Sequence, residues 1–392
     1  MNQSKPQILV VAKAYPPIVG GVETYSEALV RAYMRRGLEP TVLTQTTGRA
    51  GWHKVEYPEG SIDVFNTGAG NQAWVFCRFM AAMARLHTKR RFAFMHATTW
   101  RPALAILPFT RNTLMLITVH GREVMNYPWI LKRPMIELLR RADMVITVSH
   151  ATMEIARTAL HGRSVLGRWI VAFNGISYPD EAKHHIREPT ATDRPVRLLS
   201  LARLVPRKNI QGCISALGEL HAEGINGFEY WVAGTGPMEQ ELRAAVLDLG
   251  LQEHVRFLGY VPTNELTSLY QNADVFLHPQ TNVGEGNDFE GFGLVIADAM
   301  SFGCAVVAGE AGGPRDFIQN NSNGILVDGL NGSDLKSAII DLINKPDLRE
   351  RLSECGQAYA ITKLSWDAHV DQIMSSIPPS RHACSAHATD DH

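Results

Sequence analysis

Residues 285–318 read EGNDFEGFGLVIADAMSFGCAVVAGEAGGPRDFI. A glycine-rich loop gives way to a helical stretch that begins near Glu290. The apolar run AVVAG (305–309) then reads as a short buried strand, and a Gly-Gly-Pro turn follows it. Helix, buried strand and glycine turn form one beat of an alternating chain. The same beat recurs on both sides: VRLLSLAR, FEYWVAG, HVRFLG and ADVFLHP precede it and GILVD follows, with helices expected from about 208 and about 237. Continuous apolar strands that alternate with helices predict a parallel sheet covered on both faces.

The first half repeats the pattern. QILVVA (7–12) reads as a buried strand, and residues 22–36 follow it with a helical period. PTVLT, IDVFN, FAFMHAT, TLMLITV, DMVITVS and WIVAFN are further strand candidates. Between the halves, YPDEAKHHIREPTATDRP (178–195) is polar, proline-bearing and weakly periodic, and reads as a linker. The expected organisation is two doubly wound, Rossmann-like α/β domains, at 1–185 and 195–360, facing a cleft. Residues 331–376 look mostly helical, and 378–392 lack periodicity and read as a flexible tail. Open parallel sheets take ligands at the carboxyl ends of their strands, so two such edges would serve two substrates.

Composition narrows the class. With 45% hydrophobic and 20% charged residues, the 392-residue chain is neither disordered nor fibrous. Its five cysteines (77, 213, 304, 355, 384) form no CxxC pair, which argues against a zinc knuckle or redox dithiol and suits a reducing compartment. The stretch 92–119 is broken by Arg101 and Arg111 before it reaches the roughly 18 apolar residues of a membrane span. The expectation is a soluble cytoplasmic protein. Charge divides unevenly: residues 1–180 carry 22 Lys+Arg against 11 Asp+Glu, and residues 181–392 carry 16 against 28. A basic half facing an acidic half suggests different partners for each.

Four segments are candidates for chemistry. In AYPPIVGGVETYSEALV (14–30), Gly20 and Gly21 follow the first strand, open a helix and let the backbone approach a ligand; the plainer reading is a packing turn. No GxGxxG is present, which counts against a dinucleotide fingerprint. In LARLVPRKN (201–209), Arg203 and Lys208 could both reach one diphosphate, or could form a solvated basic turn. In VAGTGPMEQEL (232–242), Gly234 and Gly236 permit close contact with a nucleotide or serve an ordinary βα loop. In the opening segment, Glu290 precedes GFG and Asp298 lies eight residues further on. A carboxylate at the loop end can accept from sugar hydroxyls, glycines leave N–H groups for a diphosphate, and the second carboxylate can hold a ribose. Alternatively Glu290 is a helix N-terminal acid and Asp298 a solvated helix residue.

Taken in order, PPxxGGxE (16–23), TVHG (118–121), NGI (174–176), ARLVPRKN, AGTGP, the Glu-x7-acid element and AGGP resemble the GT-B glycosyltransferases, specifically the large retaining family 4. The resemblance spans nearly the whole chain. It implies that Arg203 and Lys208 bind the donor diphosphate, that Glu290 touches the transferred sugar and that the backbone of Gly291, Phe292, Gly293 and Leu294 caps the phosphates. It further implies that Asp298 takes the ribose hydroxyls, that Tyr260 and Val261 border the base, that His120 sits near the reacting sugar, and that Gly21 lets the first loop approach. It also implies that a final helix, about 361–377, packs back on the first domain. The family usually has Glu where this chain has Asp298, one methylene shorter, which puts that assignment in question.

The expected chemistry is transfer of a hexose from a GDP- or UDP-sugar, mannose being favoured, to a hydroxyl of a glycan or lipid-linked acceptor, with retention and without a cofactor or metal. No Asp-x-Asp motif appears; Asp288 and Glu290 have that spacing but lie within the acid element. Positive charge from Arg203 and Lys208 would replace a metal. The segments 74–91 and 127–141 mix aromatics with clustered Lys and Arg, which suggests peripheral contact with an anionic membrane, at the inner face of the plasma membrane. The plainer reading makes Trp74, Phe76, Phe79, Met80 and Met83 core residues. Nucleic acid is not expected, since no recognition motif accompanies the basic residues. The alternatives are a non-hydrolysing sugar-nucleotide epimerase, a nicotinamide-dependent oxidoreductase and a catalytically silent binding subunit of the same fold.

Overall fold

The computed structural model describes residues 5–16, 20–46, 50–125, 129–160, 162–187, 194–282 and 289–378. The chain divides into two compact units, 1–174 with 366–392, and 175–365. The first holds eight strands: β1 (Gln7–Ala12), β2 (Glu39–Thr44), β3 (Gly51–Tyr57), β4 (Gly60–Asn66), β5 (Phe94–Ala97), β6 (Leu114–Val119), β7 (Met144–Thr147) and β8 (Arg168–Val171). Their order across the sheet is β3-β4-β2-β1-β5-β6-β7-β8. All neighbours run parallel except β3 and β4, which are antiparallel. The parallel strands β5, β6 and β7 are buried at every position. This is why they are written as unbroken apolar runs.

The sequence reading missed β3. GWHKVEY is mostly exposed at the sheet edge and pairs only with β4, from Gly51↔Asn66 to Tyr57↔Gly60. An edge strand of this kind needs no buried run, so periodicity did not mark it. The helix Trp366–Ser376 returns to this unit. There His369 Nδ1 lies 3.0 Å from the Phe173 carbonyl, its Nε2 lies 3.0 Å from the Tyr25 hydroxyl, and Asp367 pairs with Arg35 at 2.8 Å.

The second unit holds β9 (Val196–Leu201), β10 (Phe228–Ala233), β11 (Val255–Gly259), β12 (Val275–His278), β13 (Ala305–Gly309) and β14 (Ile325–Val327), in the order β11-β10-β9-β12-β13-β14 and all parallel. Leu198, Val232, Val275, Leu277, Val307 and Ile339 are among the residues of its core. The stretch expected to be an irregular linker contains a short helix, Pro179–His184, in this unit. Beyond it, buried Asp274 accepts from Arg187 Nη2 at 3.0 Å, Arg194 Nη1 at 2.6 Å and the Arg197 backbone N–H at 2.8 Å. One carboxylate thus ties the chain down on both sides of residues 188–193. No helix among the described residues is long and apolar enough to cross a membrane.

Candidate functional site

The strand order of the second unit reverses at β9: the chain proceeds to β10 on one side and to β12 on the other. Such a switch point splays the loops that leave the two strands and opens a crevice at their carboxyl ends. The loop after β9 carries Arg203 and Lys208, and His278 ends β12. A 3₁₀ turn, Pro206–Lys208, leads into the helix Ile210–Ala222. Asn209 caps that helix in the left-handed conformation, φ 53°, its side chain accepting from the Gly212 N–H.

At this crevice the Lys208 ammonium contacts the Glu290 carboxylate and lies 3.0 Å from His278 Nε2. Arg207 Nη1 reaches the same Glu290 oxygen at 2.8 Å. Burial alone would raise the Glu290 carboxyl, but the Lys208 charge, helped by Arg207, outweighs it and holds it well below the usual carboxylate range. Burial, reinforced by the Lys208 charge, pushes His278 down to about 4, so its imidazole is neutral at pH 7. The structure therefore brings Lys208 and Glu290 into contact. Arg203 does not join them: its side chain is exposed and has no ion-pair partner among the described residues.

Glu290 is followed by Gly291, buried Phe292, which packs on Phe317 with ring centroids 4.9 Å apart, and Gly293, the N-cap of the helix Leu294–Ser301. The Ile296 N–H closes the first turn on the Gly293 carbonyl at 3.0 Å and no side chain caps the helix, which leaves the Leu294 and Val295 N–H groups without intrahelical partners. The loop is held from behind by the Gly313 N–H, which donates to the Glu290 carbonyl at 2.8 Å. A Cβ on the neighbouring Gly312, at φ +87°, would lie 2.4 Å from that carbonyl oxygen. Residues 283–288, including Asp288, lie outside the described residues.

Asp298 is 4% exposed and accepts from the Ser177 backbone N–H at 2.7 Å. It is therefore not the solvated helix residue of the plainer reading. Burial pushes its carboxyl up to about 7, and the Ser177 hydrogen bond offsets only part of that. Gly234 and Gly236 serve close packing of backbone: at Gly234, φ +123°, an added Cβ would come within 1.9 Å of the Ala202 carbonyl oxygen, and at Gly236 within 2.3 Å of that of Leu204. These contacts set the turn that presents Arg203. Tyr260 is exposed and Val261 half-buried after β11.

In the first unit, Gly20 N-caps the helix Gly21–Arg35, and a side chain at Gly21 would meet nothing within 4 Å. His120 follows β6 and is half-buried. Its Nε2 lies 2.9 Å from the Thr98 carbonyl oxygen. A carbonyl can only accept, so Nε2 carries a proton and donates to it. The Tyr25 ring meets this imidazole edge to face at 4.6 Å. Beneath it, Thr118 Oγ1 lies 2.8 Å from the Tyr25 hydroxyl and 2.7 Å from His96 Nε2. Burial drives His96 down to about 3 and His369 to about 4, so this layer is a network of neutral groups. Arg207, His278, Tyr25 and His369 escaped the sequence reading. For His278 a signal existed: a polar, titratable residue closing the otherwise apolar run ADVFLHP.

Two family models match the chain: Glycosyl transferases group 1 over residues 181–359, and Glycosyltransferase Family 4 over residues 19–177. A GDP-mannose-dependent alpha-(1-6)-phosphatidylinositol monomannoside mannosyltransferase of Mycolicibacterium smegmatis is 28% identical over 96% of this chain and 100% of its own. The Corynebacterium glutamicum enzyme acting on the monoacylated form is 23% identical over 92% of this chain and 94% of its own. Among solved structures, sucrose-phosphate synthase from Thermosynechococcus elongatus superposes with a TM-score of 0.73 at 20% identity, covering 97% of this chain and 100% of that one. Anabaena Alr3699/HepE in complex with UDP gives 0.71 at 20%, covering 94% and 98%. Two doubly wound units with a basic turn and the Glu-x7-acid element at a switch point thus define a GT-B-type glycosyltransferase. The chain belongs to the group 1, family 4 type and is a hexosyltransferase.

Proposed function

We propose that the protein transfers mannose from GDP-mannose to a hydroxyl of a lipid-linked or glycan acceptor used in cell-envelope synthesis, with retention and without a metal. The observation that carries this reading is the Arg207–Lys208–Glu290 cluster at the β9/β12 switch point. There, cations sit beside a carboxylate that stays ionised. Lys208, with exposed Arg203, would neutralise the departing diphosphate, the task a bound metal performs elsewhere. Glu290 would accept from hydroxyls of the sugar, the 291–294 backbone would meet phosphate oxygens, and the Asp298 oxygen not taken by Ser177 would face the ribose. The C1–O bond to phosphate breaks, and the acceptor oxygen bonds C1 on the same face. Its proton passes to the departing phosphate oxygen, through an oxocarbenium-like transition state. His120, whose Nε2 is turned to the Thr98 carbonyl, is the proposed hydrogen-bonding group near the reacting hydroxyls. Mannose and the lipid-linked acceptor are supported by the names of the two mannosyltransferases above.

Assays with GDP-mannose and UDP-glucose in parallel, with and without EDTA, test this reading. Turnover of GDP-mannose that persists with chelator is the expected result. Turnover of UDP-glucose alone would refute the donor, and loss with EDTA would refute metal independence.

Peripheral membrane contact is part of the proposal. Its support is the helix Gln72–Lys89: Phe79 and Met83 are buried, but Trp74 is 68% and Phe76 45% exposed on a helix that also exposes Arg78, Arg85 and Lys89. Apolar anchors beside cations suit an anionic interface. The protein should float with phosphatidylglycerol-containing vesicles at low salt, and Trp74→Ala with Phe76→Ala should weaken that binding about tenfold. Wild-type protein left at the bottom of the gradient would remove the claim.

A further inference from the structure

His278 has no role in the reading given so far, yet it is buried at the crevice, at 1% exposure. Its place is fixed by strand register: it ends β12 opposite Ala308 of β13, and its ring lies 6.0 Å from that of Phe276 at an interplanar angle of 11°. Its Nε2 is 3.0 Å from Lys208 Nζ and 3.4 Å from Glu290 Oε2. An ammonium can only donate. A proton on Nε2 would point at the Lys208 N–H groups, so the shorter contact selects the tautomer with Nε2 bare and the proton on Nδ1. Among the described residues, Nδ1 is buried without a hydrogen-bond partner. An unpaired buried donor is destabilising, whereas an aliphatic side chain among Phe276 and the strand ends would leave none. The imidazole thus carries an unpaired donor that an aliphatic residue would not, and its nearest polar neighbour is the lysine ammonium.

We propose that His278 is a positioning residue for sugar transfer: its bare Nε2 accepts a hydrogen bond from Lys208 and, together with Glu290, holds the ammonium where the donor diphosphate departs. This inference rests on the donor-site reading above. The depressed basicity of His278 agrees with it, since a charged imidazole would repel Lys208 rather than accept from it.

The test compares His278→Leu with His278→Gln, each alone and combined with Lys208→Ala, on GDP-mannose and UDP-glucose. Positioning predicts that H278L melts at or above the wild-type temperature while kcat falls about 10- to 100-fold, the worth of one hydrogen bond to a charged group. The KM for the donor should change less than threefold. H278Q, whose amide oxygen can accept, should recover most of the rate. A purely structural histidine would lower the melting temperature together with the rate and would show no rescue by Gln.

The double mutant separates this inference from the reading beneath it. In the Lys208→Ala background H278L should cost nothing further. If its full loss persists there, His278 does not act through Lys208 and the inference falls. If Lys208→Ala itself leaves the rate unchanged, the donor-site reading falls. A crystal structure of H278L gives a donor-independent answer. Lys208 Nζ displaced from its wild-type position supports the inference, and an unmoved ammonium overturns it.

Discussion

Replacing Lys208 by alanine is expected to lower kcat/KM for sugar transfer about 1000-fold while both units remain folded. In the proposed reaction negative charge accumulates on the departing diphosphate as C1–O stretches, so a fixed cation is worth more in the transition state than in the ground state. Removing one such preorganised group costs about 100- to 1000-fold, or about 3–4 kcal/mol. The upper end is expected here because Lys208 is buried and held by Glu290 and His278. Folding should survive because Arg207 remains 2.8 Å from Glu290, leaving that carboxylate paired. Steady-state kinetics beside a melting curve decide the matter. A rate within threefold of wild type would show that the diphosphate is neutralised by other groups.

The second large effect concerns stability. Asp298→Asn should stabilise the second unit at pH 8.5 by about 3–4 kcal/mol relative to its effect at pH 4.5, or about 6–12 °C in melting temperature. Burial raises the folded carboxyl from 3.8 to about 7. A group raised in this way favours the fold while it is protonated. That contribution is complete below the unfolded value near 3.8, shrinks as pH climbs and is gone above about 7, where the fold must carry a buried carboxylate. Asn imitates the neutral acid, and its amide oxygen can still accept from the Ser177 N–H. Equal melting shifts at both pH values would mean that the carboxyl is not perturbed by its burial.

A good part of this was legible beforehand. The strands β1, β5, β6, β7, β9, β12 and β13 stand in the sequence as largely apolar runs because a parallel strand covered on both faces offers few positions where a polar side chain meets water. Edge strand β3 is exposed on most of its length and carries no such run. The loops after β1 and β9 were marked by proline, glycine and cations close to a strand end, and Glu290 with Asp298 by their spacing before a buried strand. The environments of those residues were not legible. In the sequence Asp298 could be a solvated helix residue or a ribose ligand, and only the packing of the helix Leu294–Ser301 against the Ser177 backbone made it buried and weakly acidic.

The sequence alone determined a chain of alternating apolar strands and helices in two halves, since local period and turn chemistry are properties of neighbouring residues. It also determined which residue types could grip a phosphate. Only the tertiary structure decided that Arg207 and Lys208 share the carboxylate of Glu290, more than 80 positions away, and that His278 from a third segment meets the same ammonium. Strand order sets these meetings: β9 and β12 become neighbours through a sheet assembled from distant segments. The sign of a charge can be read from the sequence, but its partner, its burial and hence its acidity depend on what the fold places within hydrogen-bonding distance.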